Sequence, residues 1–463
     1  MSWKNSYFRR FFADYGIVFV LLLLCAFFSM ATLKEQHPAG AQGASALWGT
    51  LRQQHREAQD ILIIANVGRD GQAFADTLSR AARNHAGITS QTLTGEPFFV
   101  RDALEDLAQS GRSPQAILAT REAAQWPFLK NLAAELPSLD KVTLLSPQSY
   151  LWPDFLKRSN LMAIADRIVV IALIAIGMTM VIITGGIDLS VGSLIAFSAV
   201  LATVFIRDFA GAEDASGLGM TVACLAAIAL AGCVGVFSGV MVTYFLIPPF
   251  IVTLAMMLVA NGLAFIVAAG QSVYQVPDSL IWLGRGASLL GIPNTVVLMA
   301  LLYTIAHIIM TRTTLGRYIY AVGGNQEAAR LSGVPVKRIL IFVYAACAAL
   351  AGLGGVVQAS QLKSGAPTYG VMYELYVIAA VVVGGTSLTG GQGKILATLV
   401  GAFIIAVIQN GMNLIGVESY TQKVVLGLVI LAAVLLDMLK KRGLPLSRFA
   451  RRTRARQDTA PDQ

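Results

Sequence analysis

The sequence predicts a mainly α fold: a polytopic membrane helical bundle of about ten transmembrane helices, with a small α/β domain inserted after the first. Three observations carry this. Hydrophobic residues make up 56% of the 463 residues and charged ones 13%, with a mean hydropathy of +0.65. Soluble domains carry roughly 45–50% apolar and about 25% charged residues. The apolar residues gather after residue 160 in near-continuous runs, and about 20 such residues at 1.5 Å each cross a bilayer core. Residues 34–160, by contrast, are polar and densely charged. An ordinary soluble enzyme and a disordered chain are both excluded.

The elements are taken in chain order. Residues 1–33 hold a basic tail (Lys4, Arg9, Arg10) and an apolar run from Gly16 to Ala31. A retained first helix is one reading; Ser29-Met30-Ala31 also resembles a weak signal-peptide cleavage site. Both readings place residues 34–160 outside the cytoplasm. Within 34–160, strands are expected at Ile61–Ala65, Ile88–Leu93, Ala116–Leu118 and Val142–Leu145. Helices are expected at Phe74–Ala86, Val100–Leu107 and Ala123–Leu136. This alternation predicts a small parallel α/β layer with one modest core. Residues 161–439 supply spans beginning near Met162, Leu189, Leu218, Ile251, Val296, Ile339, Tyr373, Ile395 and Val424, some of them free to be broken or re-entrant. Residues 440–463 form a basic tail.

Net charge is +9 and the pI about 9.4. Eight of the 35 basic residues come after Leu439, and others flank apolar runs, so the charge points to a membrane protein with basic cytoplasmic ends rather than to nucleic acid. The segment 312–338 carries Arg312, Arg317, Arg330, Lys337 and Arg338. Loops assigned to the opposite side carry only Arg207, Arg285, Lys363 and Lys423. This asymmetry predicts cytoplasmic N- and C-termini, with 34–160 periplasmic or extracellular. Cys25, Cys224, Cys233 and Cys347 lie in apolar runs without a CxxC, and four scattered histidines form no HExxH. No catalytic, cofactor-binding or metal-ligating set is expected.

Three motifs stand out. Gly185-Gly186-Ile187-Asp188-Leu189-Ser190-Val191-Gly192 puts an acid between glycines in an apolar stretch. Asp188 and Ser190 either cap a helix junction or take part in solute passage or gating. Gly384 to Gly393 has five glycines in ten residues. It fails the P-loop pattern, because Gly393-Lys394 is followed by Ile395, and reads as a tight turn between spans. The third motif runs from Thr314 to Pro335. There Asn325 can cap a short helix over Gln326–Leu331 and Gly333 can end it. A small-residue face (Ala328, Ala329, Ser332) would dock a cytoplasmic partner; a solvated loop helix is the bland alternative. Asn261, Asn410 and Asn413 are polar groups inside spans that either line a path or bond backbone.

With these residues in view, the chain resembles the membrane permease subunit of bacterial ABC importers for ribose-type sugars. The resemblance rests on GGIDLSVG at 185–192, PPFIVTLAMM at 248–257, GRYIYAVGGNQEAARLSGV at 316–334, YEL…IAAVVVGGTSLTGGQG at 373–393 and NGMNLIGV at 410–417. It implies a second permease subunit, identical or alike, and a sugar-binding protein outside the membrane. It also implies cytoplasmic ATP-binding subunits, which hold ATP and Mg, docked on Gly324, Asn325, Glu327, Ala328, Ala329, Arg330 and Gly333. The path for a small polar solute would then run past Asp188, Ser190, Asn261, Asn410 and Asn413. Three features depart from the family. About 125 residues separate the first two spans, Gln361 stands where an arginine is expected, and Tyr376 where an aspartate is. The insert looks like one lobe of a two-lobed periplasmic sugar-binding protein, which leaves three roles for it: binding a ligand, docking a binding protein, or regulation. A membrane-anchored sensor derived from such a permease is the alternative function.

Overall fold

In the computed structural model, residues 3–442 are described, and the side chains of 3–15, 436, 437 and 439–442 are outside that description. The basic side chains of the N-terminal tail, and 443–463 of the C-terminal tail, therefore lie outside the described residues. The chain divides into two units, Met1–Thr32 with Asp154–Gln463, and Leu33–Pro153. The first unit opens with helix α1 (Trp3–Ala31). At its end Asp154 N–H donates to Thr32 O (3.0 Å), Phe155 N–H donates to Thr32 Oγ1 (3.1 Å), and the Phe28 and Phe155 rings stack.

The insert begins and ends side by side, β1 (Leu33–Gln36) pairing antiparallel with the last strand so that Leu33 faces Pro153. Next come α2 (Gly40–Gln54), β2 (Asp60–Ala65), α3 (Arg69–Arg83), β3 (Thr89–Thr94), α4 (Pro97–Gln109) and β4 (Ala116–Ala119). Three short helices come after β4, α5 (Arg121–Ala124), α6 (Pro127–Lys130) and α7 (Leu132–Glu135), then β5 (Thr143–Leu145) and β6 (Tyr150–Pro153). The main sheet is parallel, in the order β3-β2-β4-β5. Strand β2 is apolar on both faces, and period-two alternation splits it between two cores. Ile61, Ile63 and Ala65 pack with Leu47, Phe74 and Leu78 of α2 and α3. Leu62 and Ile64 pack with Leu104 of α4 and with Phe128 and Leu129 of α6. The single helix expected over Ala123–Leu136 is instead three pieces, because Pro127 supplies no N–H and Asn131 ends the turn. Helix α2 and the β1–β6 pair had no clear period in the sequence.

The bundle contains α8 (Arg158–Ile183), α9 (Val191–Phe209), α10 (Gly217–Tyr244), α11 (Pro249–Val267), the short α12 (Ile281–Arg285) and α13 (Asn294–Arg312). Helices α14 (Thr314–Gly324) and α15 (Gln326–Leu331) connect to α16 (Val336–Leu362), and α17 (Tyr373–Val383), α18 (Ile395–Leu414) and α19 (Ser419–Arg442) complete the bundle. Among the described residues seven helices are long and apolar enough to cross a membrane: α8, α9, α10, α11, α13, α16 and α18. Gly16–Ala31, α17 and Ser419–Leu435 are shorter apolar helices. These ten helices match the ten apolar runs, and the one from Tyr373 is a broken span of the kind the sequence allowed. Helix α17 has 11 residues, about 16 Å at 1.5 Å per residue, or half a bilayer core. The stretch before it is irregular, with Lys363, Gly370 and Met372 at positive φ, and runs along α9 where Gly365 meets Ala199 and Thr203.

Helices α8 and α9 are almost wholly buried, whereas α10 and α11 keep most of their apolar surface exposed. Lipid is as apolar as leucine, so close contact and polar bonds hold such helices together. A Cβ on Gly177 would sit 2.5 Å from Cys347 Cα, and one on Gly235 would sit 2.4 Å from Tyr344 O. Buried bonds join α8 to α18 (Thr179 Oγ1 with Thr398 Oγ1, 2.8 Å), α13 to α8 (Tyr303 O–H to Ala172 O, 2.9 Å) and α9 to α16 (Ser198 O–H to Gly352 O, 2.8 Å).

Overpacking a tight core costs about 1–3 kcal/mol. Gly235→Val is therefore expected to lower the thermal midpoint of the purified protein in detergent. Gly262→Val, with open space around its Cβ, leaves it unchanged. Equal midpoints would refute the packing account.

Candidate functional site

The three sequence motifs, far apart in the chain, meet at one end of the bundle. Helix α8 runs out at Ile183, and Gly185, at φ +80°, turns the chain back. The Ile183 carbonyl accepts from Gly391 N–H (2.8 Å), which belongs to the glycine-rich loop after α17. Gly323, near the end of α14, lies between them. A Cβ there would come within 1.7 Å of Ile183 O and 2.8 Å of Gly391 N. Tyr320 O–H donates to Gly393 O (2.8 Å), tying α14 to the same loop. Gly390 and Gly391 hold φ of +82° and +75°, in the left-handed region open to glycine. The loop is thus more than a turn between spans: it is the third member of a packed junction.

Helix α15 projects from this junction. Asn325 caps it, its Oδ1 accepting from Ala328 N–H (2.9 Å), and Gly333 at φ +82° ends it. Glu327 and Arg330 form an exposed ion pair at 2.7 Å, and Leu331 is 83% exposed. The small-residue face needs correction. Ala328, Ser332, Gly324 and Gly333 are exposed, but Ala329 is buried and its carbonyl accepts from Val334 N–H. Ala329 anchors α15 to the bundle and presents nothing to a partner.

On the bundle side of the junction, Asp188 is fully buried. Its Oδ1 accepts from Ser190 N–H (2.9 Å) and from Ser190 O–H (2.6 Å), which organises the turn into α9. Its Oδ2 has no hydrogen-bond partner, nor does the buried hydroxyl of Tyr344 from α16. The Tyr344 hydroxyl packs on Gly186, where a Cβ would come within 2.3 Å of it. Glu374 of α17 lies against the first turn of α9, its Oε2 2.2 Å from where a Cβ on Gly192 would stand. A carboxylate there faces the favourable end of the helix dipole. Tyr344 and Glu374 were missed in the sequence, where each sits in an apolar run and only their glycine neighbours signal them.

Residues 160–434 match the family model described as the branched-chain amino acid transport system / permease component. The chain belongs to this permease family. Its relatives include the ribose import permease protein of Escherichia coli (strain K12), 43% identical over 304 residues, which are 65% of this chain and 92% of that protein. The ribose import permease protein of Bacillus subtilis (strain 168) is 40% identical over 306 residues, 66% of this chain and 92% of that protein. The L-arabinose ABC transporter permease protein of Azospirillum brasilense is 36% identical over 331 residues, 71% of this chain and 94% of that protein. No solved structure matches the chain. The protein is therefore a multi-pass permease subunit, a transport component like the ABC-type sugar permeases it resembles.

The permease scatters the residues assigned to passage. Ser190 is buried and turned onto Asp188. Asn410 lies at the far end of α8, donating from Nδ2 to Asn160 Oδ1 (2.9 Å), and Asn160 in turn donates to Phe155 O (2.8 Å). Asn413 is exposed and accepts from Gln422 Nε2 (2.7 Å), latching α18 to α19. Asn261 sits half-buried on α11. These five do not form one site, because α8 alone, at 26 residues, separates its two ends by about 39 Å. The Gln361 side chain donates to Asp166 Oδ1 (3.3 Å), whereas the Tyr376 ring neighbours Tyr373.

The junction geometry sets two expectations for mutants. Gly323→Ala is expected to abolish transport and lower the thermal midpoint, while Gly324→Ala, with nothing near its Cβ, keeps the midpoint. Asp188→Ala leaves buried donors unpaired at about 1–3 kcal/mol, whereas Tyr344→Phe, which removes an unpaired hydroxyl, is expected to be neutral or stabilising in the same melt.

Proposed function

We propose that this permease carries a neutral sugar, or a solute like it, across the bacterial inner membrane, driven by ATP hydrolysed on separate cytoplasmic subunits. The relatives' names supply the substrate class: ribose, L-arabinose and D-allose. ATP and Mg would reside on the partner. A second permease subunit, identical or alike, would complete the path, and a periplasmic sugar-binding protein would deliver the solute.

The observation that carries the mechanism is the attachment of α15. Its exposed face (Glu327, Ala328, Arg330, Leu331) is free for a partner, its buried Ala329 grips the bundle, and α14 behind it is packed through Gly323 on Ile183 and Gly391. A push on α15 would pass as a rigid-body movement into the end of α8 and the loop between α17 and α18. Asp188 and Glu374 sit next to that moving part and would act in gating.

Orientation is supported by charge. Arg312, Arg317, Arg330, Lys337 and Arg338 cluster at the end of the bundle that holds α14 and α15, where Lys337 Nζ lies 4.2 Å over the Tyr244 ring. Lys363, which pairs with Asp278, belongs to the opposite end. The positive-inside rule makes the first end cytoplasmic, with both termini cytoplasmic and the insert periplasmic.

An exposed position tests this without unfolding the protein, since such substitutions shift stability by about 0.5 kcal/mol or less. Leu331→Asp is expected to reduce co-purification of the ATP-binding subunit at least tenfold. Uptake of labelled ribose, arabinose or allose should fall with it, at an unchanged melting midpoint. Uptake that persists in ATP-depleted cells would overturn the proposal.

A further inference from the structure

We infer that the insert is itself a small-molecule receptor, with a crevice at the carboxyl ends of β2 and β4 that takes a neutral, polyhydroxylated solute. The sheet order is the first ground. From β2 the chain crosses to β3 on one side, then returns through α4 to β4 on the other side of β2. The connections therefore diverge between β2 and β4. In open parallel sheets the gap left at such a divergence is where ligands bind.

A cavity of about 400 Å³ occupies that gap, within the range of small-ligand sites. Its walls are built rather than incidental. Asn66 comes directly after β2 and Thr120 directly after β4, and the Thr120 hydroxyl donates to Asn66 Oδ1 (3.1 Å), joining the two strand ends. A Cβ on Gly71 would come within 2.0 Å of Asn66 O, so only glycine lets the first turn of α3 close this wall. Phe74 and Pro147 are buried in its apolar lining.

The rim names the ligand class. Asp70, Glu122, Asn66, Arg121, Thr120 and His37 line the cavity. Two carboxylates against one guanidinium disfavour a phosphate, and no cluster of three or more His, Cys, Asp or Glu suited to a metal occurs among the described residues. Mixed acceptors and donors suit hydroxyl groups, each of which donates and accepts. His37 adds an imidazole to the cavity wall. The single lobe is therefore equipped to bind, the first of the roles the sequence left open to it. That the bound polyol is also the transported solute rests on the function proposed above; the crevice does not.

The test uses the full chain in lipid nanodiscs, without ATP-binding subunits or a separate binding protein. Equilibrium binding of labelled D-ribose, L-arabinose and D-allose is measured for the native chain and for Asp70→Asn with Glu122→Gln. Both positions are exposed, and amide exchange across β2 confirms that the insert stays folded. The expected result is saturable binding of at least one sugar, weakened tenfold or more in the double variant. No saturable binding, or binding that the double variant leaves unchanged, overturns the receptor. Uptake by the whole importer separates the two readings. Uptake of a sugar that the chain alone does not bind removes the receptor and leaves transport standing. Crevice-dependent binding without uptake does the reverse.

Discussion

The controlling constraint is that backbone N–H and C=O groups inside a bilayer must find partners within the protein. This chain ends two helices at the same end of the bundle, after Ile183 and after Val383, and each end leaves several such groups without an intrahelical partner. The two ends answer each other. Gly391 N–H takes up the carbonyl at the end of α8, and Tyr320 O–H takes up Gly393 O. Beyond the helix ends, Gly186 N–H returns to Val181 O, and Ser387 N–H pairs with Gln392 O. Neither end is satisfied alone, so the two segments and α14 form one unit.

That sharing requires close approach, and close approach requires glycine. Gly323 faces Ile183 and Gly391, and Gly390 lies 2.9 Å, Cβ position to oxygen, from Gly323 O. The same device packs the bundle at Gly177 on α8 and at Gly235 and Gly239 on α10. Glycine is destabilising in a helix by about 1 kcal/mol relative to alanine. Contact between backbones offsets this where lipid gives no hydrophobic drive. Asp188 belongs to the same economy of space. Gly186 removes the side chain that would keep Tyr344 away, so a carboxylate and a phenol lie buried near one another with an atom each unpaired.

Much of the architecture was legible in the sequence, since composition and run length act through a single variable, the apolar length that spans a bilayer. Spans read as starting at Leu218, Tyr373 and Ile395 begin at Gly217, Tyr373 and Ile395. Strands read at Ile61 and Ala116 fall in β2 and β4. Run length left the kind of span open at Tyr373, where the apolar stretch is a half-span, because apolarity reports burial and not helix length. Site residues were harder. The capped helix at Gln326–Leu331 depends on local signals three residues apart, so Asn325 announced it. The partnership of Ile183, Gly323 and Gly391 spans more than 200 positions and has no local signature. Asn410 and Asn413 show the converse: a polar residue in a span attracts attention, yet both are engaged in neighbouring side-chain bonds.

The insert raises the question of how a permease tolerates an added domain between its first two helices. The E. coli ribose relative is about 330 residues long, since 304 aligned residues are 92% of it. The closure of Leu33–Pro153 supplies the answer. Its first and last strands pair residue for residue, and just inside the bundle Asp154 N–H bonds Thr32 O. The bundle therefore meets a short, closed connection between α1 and α8, whatever is folded beyond it. Domain insertion is tolerated where chain ends lie close together. An insert joined in this way is free to change its surface without disturbing the helices, and a binding crevice could be gained or lost there independently of transport.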